Sequence, residues 1–232
     1  MTDGSGLAPV NTDLGYAVEL SSARIAVDDL KFTMAGEAHA SVGGWLSNLM
    51  LPLAHAHPGH FQGGEVTGEL PGHFLLRFAP GEPQELGTAT LLVGTYKAVN
   101  LTLSRTASAE VDEADPIAGH TAVLSGTAAR EGASFEFDVR LDSPEGRELV
   151  GIPFEEAITA QTRHALALRF TPLDPLEMDT LFDGVDFAAL DGDGDGYVAI
   201  DPEARDEASV AAYNLIRRAF QTHDHFVVQP PN

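Results

Sequence analysis

The segment Ser134-Phe-Glu-Phe-Asp-Val-Arg-Leu141 shows the cleanest alternation of apolar and polar residues in the chain. Phe, Phe, Val and Leu occupy one set of alternate positions, and Glu, Asp and Arg occupy the other. Because successive side chains of a β-strand point to opposite faces, this pattern predicts a strand with one buried face and one solvated face.

Other segments of strand-like composition flank this one and are separated by turn residues. They are 16–20, 23–32, 65–70, 73–78, 88–93, 98–104, 121–128 and 164–170. Turn sequences such as Arg130-Glu-Gly132 and Asp142-Ser-Pro-Glu-Gly146 lie between them. Strands at this spacing predict a mostly β protein, specifically an antiparallel, Ig-like β-sandwich.

The organisation along the chain indicates one domain. Residues 1–15 are rich in Gly, Ser, Thr, Asp and Pro and are expected to form a flexible leader. A single β-sandwich domain is expected over 16–232. It includes a long excursion at 36–64, where apolar residues fall at helical spacing, and a C-terminal helical segment at 174–222.

The charge of the chain restricts its partners. With 13 Lys+Arg and 35 Asp+Glu the net charge is −22, which disfavours nucleic acid and anionic lipid and favours metal cations. Half of this charge comes from 174–208, which holds twelve acidic residues and one basic residue, Arg205.

The absence of cysteine excludes disulfides, thiolate catalysis and Cys-ligated metal sites. No apolar run is long enough for insertion into a membrane.

The sharpest local motif is Asp191-Gly-Asp-Gly-Asp-Gly-Tyr197. Acids stand at positions 1, 3 and 5, a glycine stands at position 6, and the Tyr197 carbonyl would be the ligand at position 7. Helical patterns at 175–187 and 203–220 flank the motif. The sequence therefore predicts a helix-loop-helix with an EF-hand-like calcium loop.

The end of the motif departs from the EF-hand pattern. Position 12 is Pro202 where a bidentate Glu is expected, so that Asp201 or Glu203 would have to close the calcium shell. The predicted calcium ligands are Asp191, Asp193, Asp195, Tyr197, Asp201 and Glu203. The missing ligand predicts weak affinity and a structural role, and the alternative is an Asp-Gly turn without an ion.

The histidines form two groups. His55-Ala-His-Pro-Gly-His60 places three imidazoles close together, with His39 at the far end of the same excursion, and His223-Asp-His225 places two more near the C-terminus. A His-x-His pair in an extended segment presents both rings on one side, which suits copper or zinc. The predicted transition-metal ligands are His39, His55, His57, His60, His223 and His225. The alternatives are an ordinary polar loop for the first group and exposed ion pairs with Asp224 for the second.

Motifs of catalysis are sparse, so that an enzyme is not expected. The sequence contains no nucleophile elbow, phosphate-binding loop or dinucleotide fingerprint. Glu65 and Glu69 follow the first histidine group and could act as the general base of a metal-dependent hydrolase.

Three segments, at 20–30, 94–103 and 173–186, resemble bacterial secreted sandwich lipoproteins, most closely the periplasmic MbnP-like copper-binding proteins. They begin Leu20-Ser-Ser-Ala-Arg, Gly94-Thr-Tyr-Lys and Leu173-Asp-Pro-Leu-Glu. The resemblance implies an extracytoplasmic sandwich that carries calcium and can bind copper, which the family binds through histidines and an oxidised tryptophan. Trp45 is the only tryptophan of the chain and lies in the excursion. None of the copper residues of the family is matched by position.

These features predict a bacterial protein of the periplasm or cell surface that is not an enzyme. Because the first residues lack the features of a signal peptide, we expect that a signal segment has been removed and that a lipid anchor could have stood there. The expected function is capture or delivery of copper or zinc, with calcium as a structural ion. The alternatives are a surface adhesion or carbohydrate-binding lipoprotein with structural calcium only, and a metal-dependent hydrolase.

Overall fold

A computed structural model gives the fold of the chain. It describes residues 2–3, 7–34, 64–79, 84–107, 111–161 and 165–229. The excursion at 36–64 lies outside the described residues except for Gly64, and with it lie Trp45 and the predicted ligands His39, His55, His57 and His60.

The described residues are mostly β, as the sequence predicts. The strands are β1 (Thr2–Asp3), β2 (Val10–Asn11), β3 (Ala17–Met34), β4 (Glu65–Phe78), β5 (Thr90–Leu91), β6 (Gly94–Leu103), β7 (Ala122–Arg130), β8 (Ala133–Leu141), β9 (Arg147–Ile158), β10 (Ala167–Phe170), β11 (Tyr197–Ile200) and β12 (Phe226–Gln229). The helices are α1 (Phe187–Leu190) and α2 (Glu207–Phe220). Neither of these described helices is long and apolar enough to cross a membrane.

The long strand β3 organises a sheet of nine strands. Along one edge β3 pairs with β4, and along the other it pairs first with β7 and then with β6. The change takes place at Ala26, whose N–H donates to the Thr121 carbonyl at 2.8 Å and whose carbonyl accepts from the Ser104 N–H at 3.1 Å. β8 pairs with the outer edge of β7, and β9 pairs with the outer edge of β6. The sheet therefore divides into two branches at Ala26.

The pairing is mixed, which corrects the prediction of a purely antiparallel fold. β11 pairs with β8 in parallel at the edge of the large sheet, and β1 pairs in parallel with β10 in a smaller sheet of order β1-β10-β12. Parallel neighbours need a long connection between them, and 55 residues separate the end of β8 from the start of β11. The local alternation of a strand does not reveal the direction of such a distant partner.

The core extends into the C-terminal part of the chain through aromatic contacts. The Phe137 ring on β8 lies 5.3 Å from that of Phe182 and 5.1 Å from that of Phe187. On β10, the Phe170 ring lies 6.2 Å from that of Phe220 on α2. The described C-terminal residues therefore pack on the strands and share their core.

The segment predicted as a flexible leader, 1–15, is partly built into this core. Leu7 and Val10 are buried, and β2 pairs with the start of β3. Leu7 and Val10 thus anchor this segment in the core, although its overall composition is that of a flexible loop.

The helix-loop-helix prediction is correct only in its second half. α2 forms within the predicted 203–220 helix, and the Asp206 side chain caps it by accepting from the Ser209 N–H. No helix forms over 175–186, where Leu173 and Thr180 form a β-bridge and Met178 has a φ of 64°. Closing this local bridge turns the backbone back on itself, which is incompatible with a helix.

Candidate metal centre

The acidic loop, residues 191–196, brings three carboxylates together. One side-chain oxygen from each of Asp191, Asp193 and Asp195 lies within 4.8 Å of the others. The loop starts where α1 ends, and the Asp191 N–H donates to the Phe187 carbonyl at 3.1 Å. Gly194 and Gly196 have φ values of 73° and 82°, a region that glycine enters without strain, and this lets the chain curl around a common centre.

Backbone N–H groups hold these carboxylates in place. The Gly196 N–H donates to the Asp191 carboxylate at 3.3 Å, and the Tyr197 N–H donates to Asp195 Oδ1 at 2.8 Å. Among the described residues, no Lys, Arg or His forms an ion pair with the three carboxylates of the loop. The loop therefore presents several hard oxygen atoms with a net negative charge, the donor set that calcium prefers.

The Tyr197 side chain belongs to the sheet. Its hydroxyl donates to Asp138 Oδ2 on β8 at 2.8 Å. Burial, together with this hydrogen bond, raises the pKa of Tyr197 to about 12. The predicted role of Tyr197 as a calcium ligand concerns its main-chain carbonyl, which the contacts of the side chain leave untested.

The structure does not bring Asp201 and Glu203 into the acidic group. Asp201 Oδ2 accepts from Arg140 at 2.9 Å, and its Oδ1 accepts from the Glu203 N–H at 2.8 Å. Because β11 is extended from Tyr197 to Ile200, Asp201 lies roughly 13 Å along the strand from Tyr197. In an EF-hand a helix turns back at this point, and here a strand carries the predicted closing ligands away.

The two histidines that follow α2 differ from the predicted arrangement. The chain at 223–225 forms a turn and is not extended. The Phe226 N–H closes this turn by donating to the His223 carbonyl at 3.0 Å. His223 Nε2 lies 3.4 Å from Asp224. His225 is 3% exposed and hydrogen-bonds through Nδ1 to the Thr171 carbonyl at 3.1 Å. Burial lowers the pKa of His225, which favours the neutral form of its imidazole.

A second acidic group, Asp174, Glu177 and Asp179, is one that the sequence analysis missed. One oxygen from each carboxylate lies within 4.8 Å of the others, as in the acidic loop. A helix over 175–187 would have spread these residues along its axis, and that expectation hid the cluster. The available signal was Pro175 after Asp174, which favours a turn at this point.

A histidine, an aspartate and a serine lie close together where β3, β4 and the end of β6 meet. His73 Nδ1 lies 2.5 Å from Asp28 Oδ1 and 3.3 Å from Ser104 Oγ. A Ser-His-Asp triad uses the two different nitrogens of the ring, whereas here both partners lie at the same nitrogen. Glu65 and Glu69, the predicted general bases, are exposed on β4.

The functional side chains that the structure brings together in the described residues are therefore mostly carboxylates, in two groups of three. A functional proposal for this chain rests on these side chains. Comparison of the chain with protein-family models, with curated protein sequences and with solved structures gives no match.

Proposed function

We propose that this chain is a secreted or periplasmic metal-binding protein without enzymatic activity, and that its acidic loop holds a structural calcium ion. The observation that carries the proposal is the convergence of Asp191, Asp193 and Asp195 on one centre. Two carboxylates whose oxygens lie within 4.8 Å of each other repel by about 1 kcal/mol in water and by more near a protein surface. A divalent cation between them converts this repulsion into attraction.

The first six positions of the loop are the EF-hand-like part of the proposed site. They provide three carboxylates, and water or main-chain carbonyl groups would supply the remaining oxygen ligands that calcium requires. Without a bidentate carboxylate at the end of the loop, the dissociation constant should be about 10⁻⁴–10⁻³ M, the range of extracellular calcium modules. This range supports a location outside the cytosol, where calcium is abundant.

The position of the loop supports a structural role for the ion. The loop joins α1 to β11, and the Gly196 carbonyl accepts from the Glu136 N–H of β8 at 2.8 Å. Fixing the loop therefore fixes the point at which β11 enters the edge of the sheet. In the Ig-like arrangement that we propose for the strands, calcium would fasten the C-terminal segment to one edge.

The calcium site is tested by the thermal stability of the full chain. We expect 10 mM calcium to raise the melting temperature by about 3–10 °C over the value in chelator, because a concentration of about 10–100 times the dissociation constant contributes about 1.4–2.7 kcal/mol. Asp193→Ala should abolish the increase. Glu113→Ala, which removes an exposed acid outside the loop, should retain it. Identical melting of the parent in calcium and in chelator would refute the site.

We also propose that the excursion captures copper or zinc through His39, His55, His57 and His60, which the sequence pattern alone supports. Titration of calcium-saturated protein with copper(II) should reveal tight binding that is lost when His55, His57 and His60 are replaced by alanine. Equal binding by the parent and this variant would remove the transition-metal part of the proposal.

A further inference from the structure

Three large apolar side chains are exposed near one another at one end of the large sheet. Val66 on β4 is 50% exposed, and Leu92 and Val93, in the connection from β5 to β6, are 60% and 66% exposed. The Tyr96 hydroxyl links the two parts, because it lies 3.1 Å from the Leu92 carbonyl oxygen and 3.5 Å from that of Thr67, the neighbour of Val66. We call Val66, Leu92 and Val93 the apolar end patch.

The apolar end patch continues the core of the sheet towards the surface. Met34 and Leu91, which lie beside it, are partly buried and pack against the core. The Met34 side chain also lies directly against Gly94, the residue that follows Val93. Single apolar side chains scattered over a surface need no explanation, but a group of them next to the core indicates a surface that another apolar group covers.

The patch lies where the segment 35–63, which is outside the described residues, is attached to the sheet. Met34 and Glu65 form the last pair of the ladder between β3 and β4, and Thr33 pairs with Val66 of the patch. Both attachment points of the segment are therefore beside the patch. A segment tethered in this way meets the surface at an effective concentration on the order of 1 mM, which favours it over a second copy of the chain in dilute solution.

The sequence of this segment is apolar and almost free of charge. Residues 38–64 contain no Asp, Glu, Lys or Arg, although 21% of the whole chain is charged. The large apolar residues recur at the spacing of one helical face, and they are Trp45, Leu46, Leu49, Met50 and Leu53. Exposure of these side chains to water is unfavourable, so that the segment needs an apolar surface to pack against.

We propose that the apolar residues of 45–53 pack on the apolar end patch of the same chain. The patch offers exposed apolar area with the core behind it, and the segment offers apolar side chains with no charge to desolvate. Ten residues separate Met34 from Trp45 and ten separate Leu53 from Gly64, and each connection spans up to roughly 35 Å when extended, which is enough to return to the patch. This packing needs no metal ion and does not depend on the proposed function.

Trp45 is the only tryptophan of the chain, so that its fluorescence reports this packing directly. In the full chain with chelator present, we expect its emission at a shorter wavelength than in urea, with weaker quenching by acrylamide, because the indole ring is removed from water. Replacing Leu92 and Val93 together by asparagine should shift the emission maximum towards its value in urea and raise the quenching. Both residues are exposed on the sheet, and far-UV circular dichroism verifies that the strands remain.

The matched control replaces Leu176 and Met178 by asparagine. These residues are 58% and 67% exposed, so that the control removes a similar exposed apolar pair from a different part of the chain. Asparagine is also tolerated at the positive φ of Met178, which is 64°. The control should leave the emission and the quenching of Trp45 unchanged.

A second pair of variants tests the segment itself. Leu49→Ser, one helical turn after Trp45, should expose the indole as the change in the patch does, whereas Asn48→Ser, off the apolar face, should not.

Parent emission that already equals the emission in urea would overturn the proposal. So would emission that the change at Leu92 and Val93 leaves in place, because the indole would then pack on another surface. A short-wavelength emission that appears only at high protein concentration would assign the patch to a second copy, and one that requires phosphatidylcholine vesicles would assign the segment to a membrane surface. Either result would also overturn the proposal.

Discussion

At the scale of single residues, Gly126 illustrates how close the strands approach each other. It lies on β7 opposite Leu20, beside the register shift between Leu20 and Ser22 of β3. A Cβ atom at this position would lie 2.3 Å from the Glu19 carbonyl oxygen and 3.0 Å from the Phe137 ring. Only glycine fits here, because the nearest atom belongs to the backbone and cannot rotate away.

Replacing Gly126 by alanine should therefore destabilise the protein by about 1–3 kcal/mol, the usual cost of forcing an extra carbon into a packed interior. Thr127→Ala, at the exposed neighbouring position of β7, should change stability by less than about 0.5 kcal/mol. Urea unfolding of both variants measures the difference. If the two variants unfold at the same urea concentration, the close approach of β3 and β7 is not as tight as the distances indicate.

At the scale of elements, strands with regular partners were predictable from their own residues. β8 covers the alternating segment quoted at the outset, and β7 and β8 are joined where Arg130-Glu-Gly132 predicts a turn. Glu131 and Gly132 have φ values of 54° and 88°, as a tight hairpin turn requires. In these elements the local residues and the final pairing favour the same structure.

The strand β9 and the segment 175–187 were not predictable in this way. β9 contains Gly151 and Pro153, and its pairing with β6 shifts register twice, so that no steady alternation remains in its sequence. The prediction of a helix over 175–187 was wrong for a different reason, because here a regular pattern was present but did not form a helix. Leu181, Phe182 and Val185 are buried at a spacing that suits a helix, but they reach the core from turns.

The part of the candidate calcium site that lies within one short loop was predictable from the sequence. Asp191, Asp193 and Asp195 converge because alternate residues of one short loop face one centre, and a motif encodes this spacing directly. The positions of Asp201 and Glu203 depend on whether the chain after Tyr197 turns into a helix or pairs with β8. That choice is made by a partner strand more than 50 residues away, and a loop motif contains no information about it.

At the scale of the whole molecule, hydrogen bonds join the beginning of the described chain to its C-terminal segment. The Asp13 N–H donates to Asp183 Oδ1 at 3.0 Å, and the Gly184 N–H donates to Asp13 Oδ1 at 2.8 Å. Nearby, the Tyr16 hydroxyl donates to Asp186 Oδ1 at 2.5 Å and accepts from the Ala188 N–H at 2.9 Å. These contacts link residues about 170 positions apart and hold the start of α1 against β3.

The charge of Asp186 maintains this junction. The hydrogen bond from Tyr16 is the main reason why the pKa of Asp186 is lowered, and the guanidinium of Arg130 acts in the same direction. Arg130 also lies over the Tyr16 ring, 4.2 Å from its centre, and its Nη2 atom is 3.5 Å from Asp186. Protonation of the carboxyl would weaken both contacts, so that the junction depends on pH.

Tyr16→Phe keeps the buried ring and removes only the hydroxyl, so that it isolates this junction. We expect a loss of about 1.5 kcal/mol at pH 7, near the low end for a hydrogen bond to a charged group because Asp186 is partly exposed. Because the folded pKa of Asp186 lies below its unfolded value, its contribution is present above about pH 4 and is lost as the pH falls through the folded pKa. The stability difference between parent and variant should therefore shrink below pH 4.

The matched control is Tyr96→Phe, since the Tyr96 hydroxyl donates to a neutral carbonyl, that of Leu92, at 3.1 Å. Its stability loss should be about 1 kcal/mol and should not change across this pH range. Urea unfolding at pH 7 and at several values down to pH 3 measures both variants. A Tyr16→Phe loss that stays constant with pH would show that the bond to Asp186 does not depend on the ionised carboxylate. The hydroxyl would then stabilise the junction through a neutral hydrogen bond, such as the one that it accepts from the Ala188 N–H.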